Sequence, residues 1–579
     1  MSDFDFHLLI KDGQVVDGTG RPSYRADLRI HDGLIQEIGE GLSARDGERV
    51  IDAGGCLVTP GFIETHNHYD GVMWWTPTMD PMPGYGVTTS VNGYCGFSAA
   101  PVSDDLAARK EMVGIFSFFE DIPEKPFLEL LPWDWRKWSE YKASVQARVK
   151  LPVNFATFVG HIAIRLAVMG LDAWERAATS EEIAQMCALL DDALSAGAMG
   201  LSSNLLDHDA NDRPVPTWKA DEAEWAALMD VVARHKGVTM QVMVDYLQRM
   251  KAPESIEFLA RLARPRNIRL QIAGGIPQFD IFADLIPEAW ERMDRIENEG
   301  LDVWKGYHHR SPTITVNFNS SLIFAQSNNY AWGEIILAKE PAAKYALLKD
   351  PEWRARGRAG WDATFERLPQ KDPNKVSLFF SSSGAGPVNI TLAQYMVQTG
   401  AEHPSDALAD WVIANGTSSM LLIASPPNDV ASTRRLLRDP RAIGNQTDAG
   451  AHGQLICGVG ENIELLTEFV RDRAELTVEE AVHILSGKSA AFFGLNDRGT
   501  LEVGKRADVV VLNLNEIELR PMKKAWDVPD CEGGTLFRWS RDPAPVRLTL
   551  VNGIPTFDNG EFTGRFPGQF VGPQPVNAT

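Results

Sequence analysis

The chain has 579 residues, with 44% hydrophobic and 23% charged residues, which are ordinary values for a large globular protein. Its formal net charge of -22 argues against nucleic acid or an anionic membrane surface as a partner, because both attract basic patches. The acidic N-terminus lacks the order of a secretory signal, and no apolar run approaches the roughly 18 residues of a membrane span. The five cysteines include no CxxC pair, which is typical of a reducing compartment. These features predict a soluble, cytoplasmic protein.

Residues 1–59 contain short alternating stretches that predict an antiparallel sheet. Apolar and polar residues alternate in 26–30 and 34–38, and Asp-Gly pairs mark the turns. The last segment, 497–579, contains similar apolar runs. A sheet of about 50 residues needs a partner to bury its apolar face. We therefore expect 1–59 and 497–579 to form one composite β-sandwich.

The middle of the chain, 60–496, alternates short apolar runs with amphipathic helical patterns, which predicts βα units and a parallel sheet. One helix is predicted to begin at Thr179, with Glu182 completing a capping box. The span exceeds the about 250 residues of a parallel βα barrel, so it must contain insertions. We expect one around 280–375, where Trp, Tyr and Pro are dense. A lid and a disordered surface loop remain alternatives for it.

Two histidines, His66 and His68, follow an apolar stretch at i, i+2 spacing. If that stretch is a strand, alternation points both side chains to the same side, beyond the strand's C-terminal end. Converging imidazoles at this end of a parallel strand are typical of a metal site. The alternative is a pair of polar residues that cap the strand.

Three further residues follow apolar strands. Cys95 lies between glycines after a β-branched run, and a small buried hydrophobe and a thiolate beside a cation are equally open readings. Asp448 ends another apolar run, where a turn or helix N-cap is the common role of an aspartate. His161 also follows an apolar strand, and we expect a hydrogen-bonded core residue rather than a ligand.

Together these segments resemble the amidohydrolase superfamily and, within it, the N-acyl-D-amino-acid deacylase (D-aminoacylase-like) branch. The resemblance covers nearly the whole chain and is carried by residues 60–68, 86–98, 197–203, 447–448 and 498–508. It implies an α/β fold with a (β/α)8 TIM-like barrel over 60–496. It also implies that Cys95, like His66 and His68, is a metal ligand, and that Asp448 is the catalytic aspartate at or near the metal.

The chain departs from this family in two middle strands. The matching stretches, 238–242 and 268–275, contain no histidine, and the second lacks the lysine that helps to hold the substrate carboxylate in the deacylases. We therefore expect one divalent ion rather than two, with zinc as the default for His and Cys ligands. Five other histidines are open as replacements: His208, His235, His308, His309 and His452.

The resulting hypothesis is a metal-dependent amidohydrolase that cleaves the C–N bond of a linear N-acyl amino acid or related N-acyl amide. The ion would polarise the carbonyl and lower the pKa of its water toward about 7, and Asp448 would carry a proton to the departing nitrogen. A cyclic amidase or heterocycle deaminase on the same barrel, and a non-catalytic scaffold, are the alternatives. The expected partner is a small-molecule amide, and a homo-oligomer is left open.

Overall fold

The computed structural model describes residues 7–211, 213–246, 249–311, 313–319, 331–363 and 369–574. No helix within these ranges combines the length and the apolar character that a membrane crossing requires.

A nine-stranded sheet combines strands from both ends of the chain. Its strands are Leu8–Val15, Tyr24–His31, Leu34–Gly39, Arg49–Asp52, Leu57–Pro60, Val509–Leu512, Val546–Val551, Ile554–Asp558 and Glu561–Phe562. Leu57–Pro60 pairs antiparallel with Val509–Leu512, so the two ends share one ladder. Side chains from both ends, including Val58 and Leu548, form one buried cluster. The two ends of the chain thus bury a common apolar face, while the domain limits at 59 and 497 stay predictions.

Between these ends, the described residues contain parallel strands in two sheets, one of three strands and one of six. With Val159–Gly160 counted as the continuation of Asn154–Thr157, they are eight: Phe62–Asn67, Val87–Asn92, Asn154–Thr157, Gly200–Asn204, Thr239–Met243, Arg269–Ala273, Val303–Gly306 and Ala442–Ile443. The backbone N–H of Thr65, in the first strand, donates to Asn445 O, just after the last strand, at 3.0 Å. Because the strands run in the same direction, the loops that follow them gather at one edge.

Helices alternate with these strands. The longer ones are Leu106–Phe119, Glu124–Leu130, Trp138–Arg148, His161–Met169, Ser180–Ser195, Glu222–Arg234, Ala252–Ala263, Ile286–Asn298 and Val430–Arg438. Thr179 caps Ser180–Ser195 with Glu182 in a reciprocal capping box, which confirms that prediction. Four-residue or five-residue helices span Tyr69–Val72, Glu461–Glu464, Val478–Val482 and Ser489–Phe492, and π-helices span Leu465–Asp472 and His483–Lys488. The 3-10 turns are Met82–Tyr85, Gly170–Trp174, Pro216–Lys219, Arg264–Arg266, Asp280–Phe282 and Pro369–Lys371.

A second unit lies between the strands Val303–Gly306 and Ala442–Ile443. Its antiparallel sheet contains Thr313–Asn317, Val376–Phe380, Ile390–Thr391 and Met420–Ala424, and its helices are Ala331–Leu337, Pro341–Lys349, Pro351–Ala363, Leu392–Thr399 and Pro404–Asn415. It has its own buried cluster, which includes Trp353 and Trp411. The predicted insertion at 280–375 overlaps this unit, and its limits and lid role stay predictions. Its residues 320–330 and 364–368 lie outside the described part of the chain. A separate hairpin pairs Met522–Pro529 with Thr535–Arg541.

Candidate active site

The two histidines lie at the end of the strand Phe62–Asn67, which is buried along its whole length. His66 is its penultimate residue and His68 follows it directly. Both side chains are buried, and their ring centroids are 5.4 Å apart. The strand therefore delivers both imidazoles to one buried site.

Cys95 lies in the turn after the next strand, Val87–Asn92, with a φ of +55°. A non-glycine residue in this left-handed region is uncommon and needs support from its surroundings. The support comes from two amides: Cys95 N donates to Gln241 Oε1 at 3.1 Å, and Asn204 Nδ2 donates to Cys95 O at 3.0 Å. The turn places Cys95 Sγ 3.3 Å from His66 Nε2. The sequence left two roles open for this cysteine, and in the structure its thiol lies next to the histidines.

Asp448 follows the strand Ala442–Ile443 and also has a left-handed backbone, with a φ of +57°. Its N–H donates to His66 O at 2.9 Å, which holds this loop against the first strand. Asp448 Oδ1 is 3.1 Å from His68 Nε2 and 3.5 Å from His66 Nε2. Within the described residues, neither His68 Nε2 nor Asp448 Oδ1 makes a hydrogen bond, although both atoms are buried. These two atoms face a common point but do not form a hydrogen bond with each other.

Glu120 and His452 also reach this cluster. Glu120 directly follows the helix Leu106–Phe119 and is 3% exposed. Its Oε1 is 3.7 Å from His68 Nε2, and its Oε2 is 3.5 Å from His452 Nε2. His452 Nε2 is also 3.4 Å from Asp448 Oδ2. His452 is one of the five histidines left open from the sequence. Glu120 was not predicted, because no ligand spacing in the sequence marks a carboxylate that follows a helix.

Burial disfavours charge in this site, and neighbouring groups decide which side chains carry it. Burial lowers the pKa of His66 to about 3, so this imidazole is neutral and has a free lone pair. Burial also opposes a charge on His452, but Asp448 and Glu120 outweigh it and raise the pKa of His452 to about 9. Burial opposes ionisation of Asp448 as well, yet His452 outweighs it and the pKa of Asp448 lies well below its usual range. Burial raises the pKa of the Glu120 carboxyl and of the Cys95 thiol, shifts that a cation beside them would oppose.

The two middle strands carry Gln241 and Gln271, which lie side by side in register and are fully buried. Gln271 Oε1 accepts a hydrogen bond from Tyr94 OH at 3.2 Å, and Gln241 Oε1 accepts the one from Cys95 N. Both glutamine oxygens are thus engaged with the turn that carries the cysteine. Each of these glutamines is therefore tied to the cysteine turn by a hydrogen bond to its oxygen, the atom through which an amide could bind a metal.

Two other histidines, His161 and His235, have structural roles away from the cluster. His161 is fully buried, with Nδ1 2.9 Å from Ser203 Oγ and Nε2 2.8 Å from Glu224 Oε1, which confirms a hydrogen-bonded core residue. His235 ends the helix Glu222–Arg234 and pairs with an aspartate near the surface.

The remaining three open histidines lie outside the cluster of His66, His68, Cys95 and Asp448. His208 Nδ1 is 2.9 Å from the backbone oxygen of Asp209, and His309 Nε2 is 2.8 Å from that of Glu461. His308 lines a neighbouring cavity. Of the five histidines left open, His452 forms an ion pair with Asp448, and His308 lines the same cavity as Asp448.

A cavity of about 290 Å³ opens beside the cluster. Asp448 and His452 line it on one side. The rest of its wall combines apolar and polar side chains. The apolar ones are Phe279, Ile314, Leu455 and Ile456, and the polar ones are His308, Arg310, Ser425, Gln446, Thr447 and Glu461. Arg310 Nε is 3.1 Å from Glu464 Oε2. A small organic molecule in this cavity would contact Asp448 and an arginine.

The chain matches the amidohydrolase family over residues 49–557. N-acyl-D-glutamate deacylase of Alcaligenes xylosoxydans xylosoxydans is 27% identical, over 97% of this chain and 96% of that protein. A D-aminoacylase structure, from work on one-metal activation and second-metal attenuation in its binuclear centre, has a TM-score of 0.64 at 21% identity, covering 98% of this chain and 99% of that one. N-acyl-D-glutamate deacylase from Bordetella bronchiseptica, complexed with zinc and a phosphonate inhibitor, has a TM-score of 0.63 at 22% identity, covering 98% and 100%.

The protein belongs to the amidohydrolase family. The predicted resemblance to the D-aminoacylase-like branch is confirmed, and so is the prediction of a metal-dependent hydrolase that acts on C–N bonds. The likeness to the solved structures shows a shared α/β fold.

Proposed function

We propose that this protein hydrolyses the amide bond of a linear N-acyl amino acid or a related N-acyl amide, using one divalent metal ion, with zinc the expected one. The observation that carries this proposal is the convergence of His66, His68 and Asp448 at the carboxyl ends of parallel strands. The relatives named as deacylases support the substrate class, and the zinc complex from Bordetella bronchiseptica supports the metal.

The distances within the cluster fit a metal site. With metal–ligand bonds of about 2.0–2.3 Å, a tetrahedral site has ligand–ligand edges of about 3.3–3.8 Å. The His66–Asp448 and Cys95–His66 distances, 3.5 and 3.3 Å, fall in this range, and the His68–Asp448 distance of 3.1 Å is slightly shorter. The buried atoms without hydrogen bonds, His68 Nε2 and Asp448 Oδ1, are the ones that face this point. His66, His68, Cys95 and Asp448 are the residues that would hold the ion.

A divalent cation bound here supplies Lewis acidity, which polarises a carbonyl group and lowers the pKa of a water molecule toward about 7. Asp448 is the proton carrier that we propose. Its carboxylate is ionised, and its side chain is 34% exposed toward the cavity while the histidines are buried. Asp448 Oδ2 takes the proton from the attacking water and returns it to the amide nitrogen as the C–N bond breaks. The amine then leaves as a neutral group and the acyl part as a carboxylic acid.

We further propose that the eight parallel strands close a (β/α)8 barrel and that the nine-stranded sheet forms the composite β-sandwich. The hydrogen bond between Thr65 N and Asn445 O and the parallel bridge between Asn67 and Ala449 support closure between the first and last strands. Gln241 and Gln271 in the middle strands support one ion rather than two.

The cavity beside Asp448 is the proposed substrate pocket. Its apolar wall suits an acyl chain or an apolar side chain, and Arg310 suits a carboxylate. Burial raises the pKa of Glu464 to about 7 and that of Glu461 to about 8, so these neighbours only partly neutralise the arginine near pH 7. Arg310 would take the role of the lysine that the middle strand lacks.

The test compares Asp448→Asn and His66→Asn with the parent protein and with the surface variant His235→Asn. Zinc-loaded proteins are given linear N-acyl amino acids, cyclic imides and aminoheterocycles, and amine release is measured beside circular dichroism. We expect turnover of the linear amides by the parent and by His235→Asn, and its loss in both site variants with the fold intact. Turnover by a well-folded, metal-free Asp448→Asn protein would refute the mechanism. Turnover of the cyclic or heterocyclic substrates alone would refute the substrate class.

A further inference from the structure

We propose that Glu120 is a further ligand of the metal ion, and that His452 is a positioning residue that holds Glu120 and Asp448 in place. The inference rests on the proposed function and names what replaces the missing middle-strand histidines. The replacement comes from the opposite side of the site, from the end of a helix and from the loop after the last parallel strand.

Glu120 lies within ligand distance of two of the proposed metal ligands, His68 and Asp448. Ligand atoms of His68, Glu120 and Asp448 all lie within 4.8 Å of one another, as do those of His66, His68 and Cys95. His68 belongs to both groups. The Glu120–His68 distance of 3.7 Å is within the range of about 3.3–3.8 Å that can separate two ligand atoms of one zinc ion. Glu120 Oε1 can therefore share an ion with His68 and Asp448. With Glu120 added to the four residues named above, the ion would have five protein ligands instead of four.

The burial and the charges around Glu120 also favour a cation beside it. Glu120 follows the C-terminal end of the helix Leu106–Phe119, where the helix dipole disfavours a negative charge. Its side chain is buried, and in the described part of the chain its ion-pair partners are His68 and His452, with no lysine or arginine among them. Asp448 adds a second carboxylate within the same cluster. The outer oxygens of both carboxylates share one imidazole, His452, so a divalent cation at the inner oxygens would lower the cost of burying two negative charges.

His452 lies between these carboxylates. Its Nε2 is 3.5 Å from Glu120 Oε2 and 3.4 Å from Asp448 Oδ2, so an N–H at Nε2 lies between the outer oxygens of the two carboxylates. The inner oxygens, Glu120 Oε1 and Asp448 Oδ1, are the ones that face His68. The backbone N–H of His452 donates to Glu120 O at 2.5 Å, which ties this loop to the helix end. His452 thus aims two ligand atoms toward the ion.

The test measures zinc and cobalt binding to the full-length apoprotein, without reference to turnover. Zinc affinity is measured by competition with a chelating dye, bound metal by elemental analysis, and coordination by the absorption spectrum of the Co²⁺ form. For Glu120→Gln we expect zinc to bind at least about 100-fold more weakly, with a changed Co²⁺ spectrum. Glu111→Gln is the matched control, because Glu111 lies on the same helix in a partly exposed ion pair with Arg213. It should bind zinc as the parent does.

His452 is tested by a conservative pair of variants. His452→Ala should weaken zinc binding about 10–100-fold, whereas His452→Gln keeps a side-chain N–H donor and should restore part of the affinity. A purely structural role would not distinguish this pair when circular dichroism shows both variants folded. Equal losses in the two folded variants would overturn the positioning role.

The outcomes separate this inference from the proposed function. In one outcome the parent binds zinc, His66→Asn no longer binds it, and folded Glu120→Gln keeps the zinc affinity and the Co²⁺ spectrum of the parent. That outcome overturns the inference and leaves the proposed function standing. If the parent binds no zinc or cobalt, the proposed function fails and the inference with it. If Glu120→Gln does not fold, Glu120→Asp provides the test. This substitution keeps the charge but shortens the side chain, so the carboxylate reaches less far toward His68. A zinc affinity equal to that of the parent would overturn the proposal that Glu120 is a metal ligand.

Discussion

Glu224→Gln should destabilise the protein strongly without touching the proposed metal ligands. Glu224, Arg165 and His161 have fully buried side chains that form one network. Glu224 pairs with Arg165 Nη1 and lies 2.8 Å from His161 Nε2. Glutamine preserves the shape of the side chain but removes the charge that compensates the buried guanidinium. The effect on stability therefore reports the uncompensated charge on Arg165.

The size of the stability loss depends on the hydrogen bonds that Arg165 retains in the variant. Breaking one partner of a buried ion pair costs about 3–5 kcal/mol. Arg165 Nη2 still donates to the backbone oxygens of Ala173 at 3.0 Å and Arg176 at 3.1 Å, and the glutamine oxygen can still accept a hydrogen bond. We therefore expect the lower end, a loss of about 3 kcal/mol in the free energy of unfolding.

Urea denaturation followed by circular dichroism measures this loss. Glu222→Gln is the matched control, since Glu222 lies on the same helix and pairs with Arg261 where both side chains are more than half exposed. That variant should change the free energy of unfolding by less than about 0.5 kcal/mol. A loss below about 1 kcal/mol in Glu224→Gln, with an unchanged denaturant slope, would contradict the argument.

Three other substitutions test the cavity and the cysteine turn. Burial raises the pKa of Glu461 to about 8, so its carboxyl destabilises the folded state increasingly between pH 4.5 and 8. Glu461→Gln should equal the parent in stability at pH 5 and exceed it by about 2–4 kcal/mol at pH 9, measured by urea denaturation. Arg310→Met should raise KM about 10–100-fold for substrates that carry a free carboxylate, because it removes their ionic partner. Gln241→Ala leaves Cys95 N without its acceptor, and zinc affinity should fall about 10–100-fold.

Each of these predictions has its own control. A stability difference for Glu461→Gln that is the same at pH 5 and pH 9 would show that its carboxyl is not the titrating group. For Arg310→Met, the matched control is a substrate pair that differs only in carboxylate against carboxamide, and equal losses for both would exclude charge recognition. For Gln241→Ala, an unchanged thiolate-to-cobalt absorption band would show that Cys95 needs no support from this glutamine.

Local patterns in the sequence predicted the elements that hold half of the candidate site. The apolar stretch before His66 and His68 defines a strand, and alternation along a strand sends i and i+2 to the same side whatever the rest of the fold. The capping box at Thr179 and the hydrogen-bonded core role of His161 follow from equally local signals. Cys95 and Asp448 needed the family resemblance, since a lone cysteine or aspartate after a strand has common structural roles.

The other residues of the candidate site are brought together only by the tertiary structure. Glu120 lies near His68 where the end of a helix meets the loop that carries His452, more than 300 residues further along the chain. No spacing rule in the sequence encodes such a contact. Cys95, Asp448 and His452 all have left-handed backbones. Such conformations are unfavourable for side chains other than glycine and persist where long-range contacts hold them. The sequence by itself determined which strands end in donor atoms, and the packing of distant loops determined which of those atoms share a site.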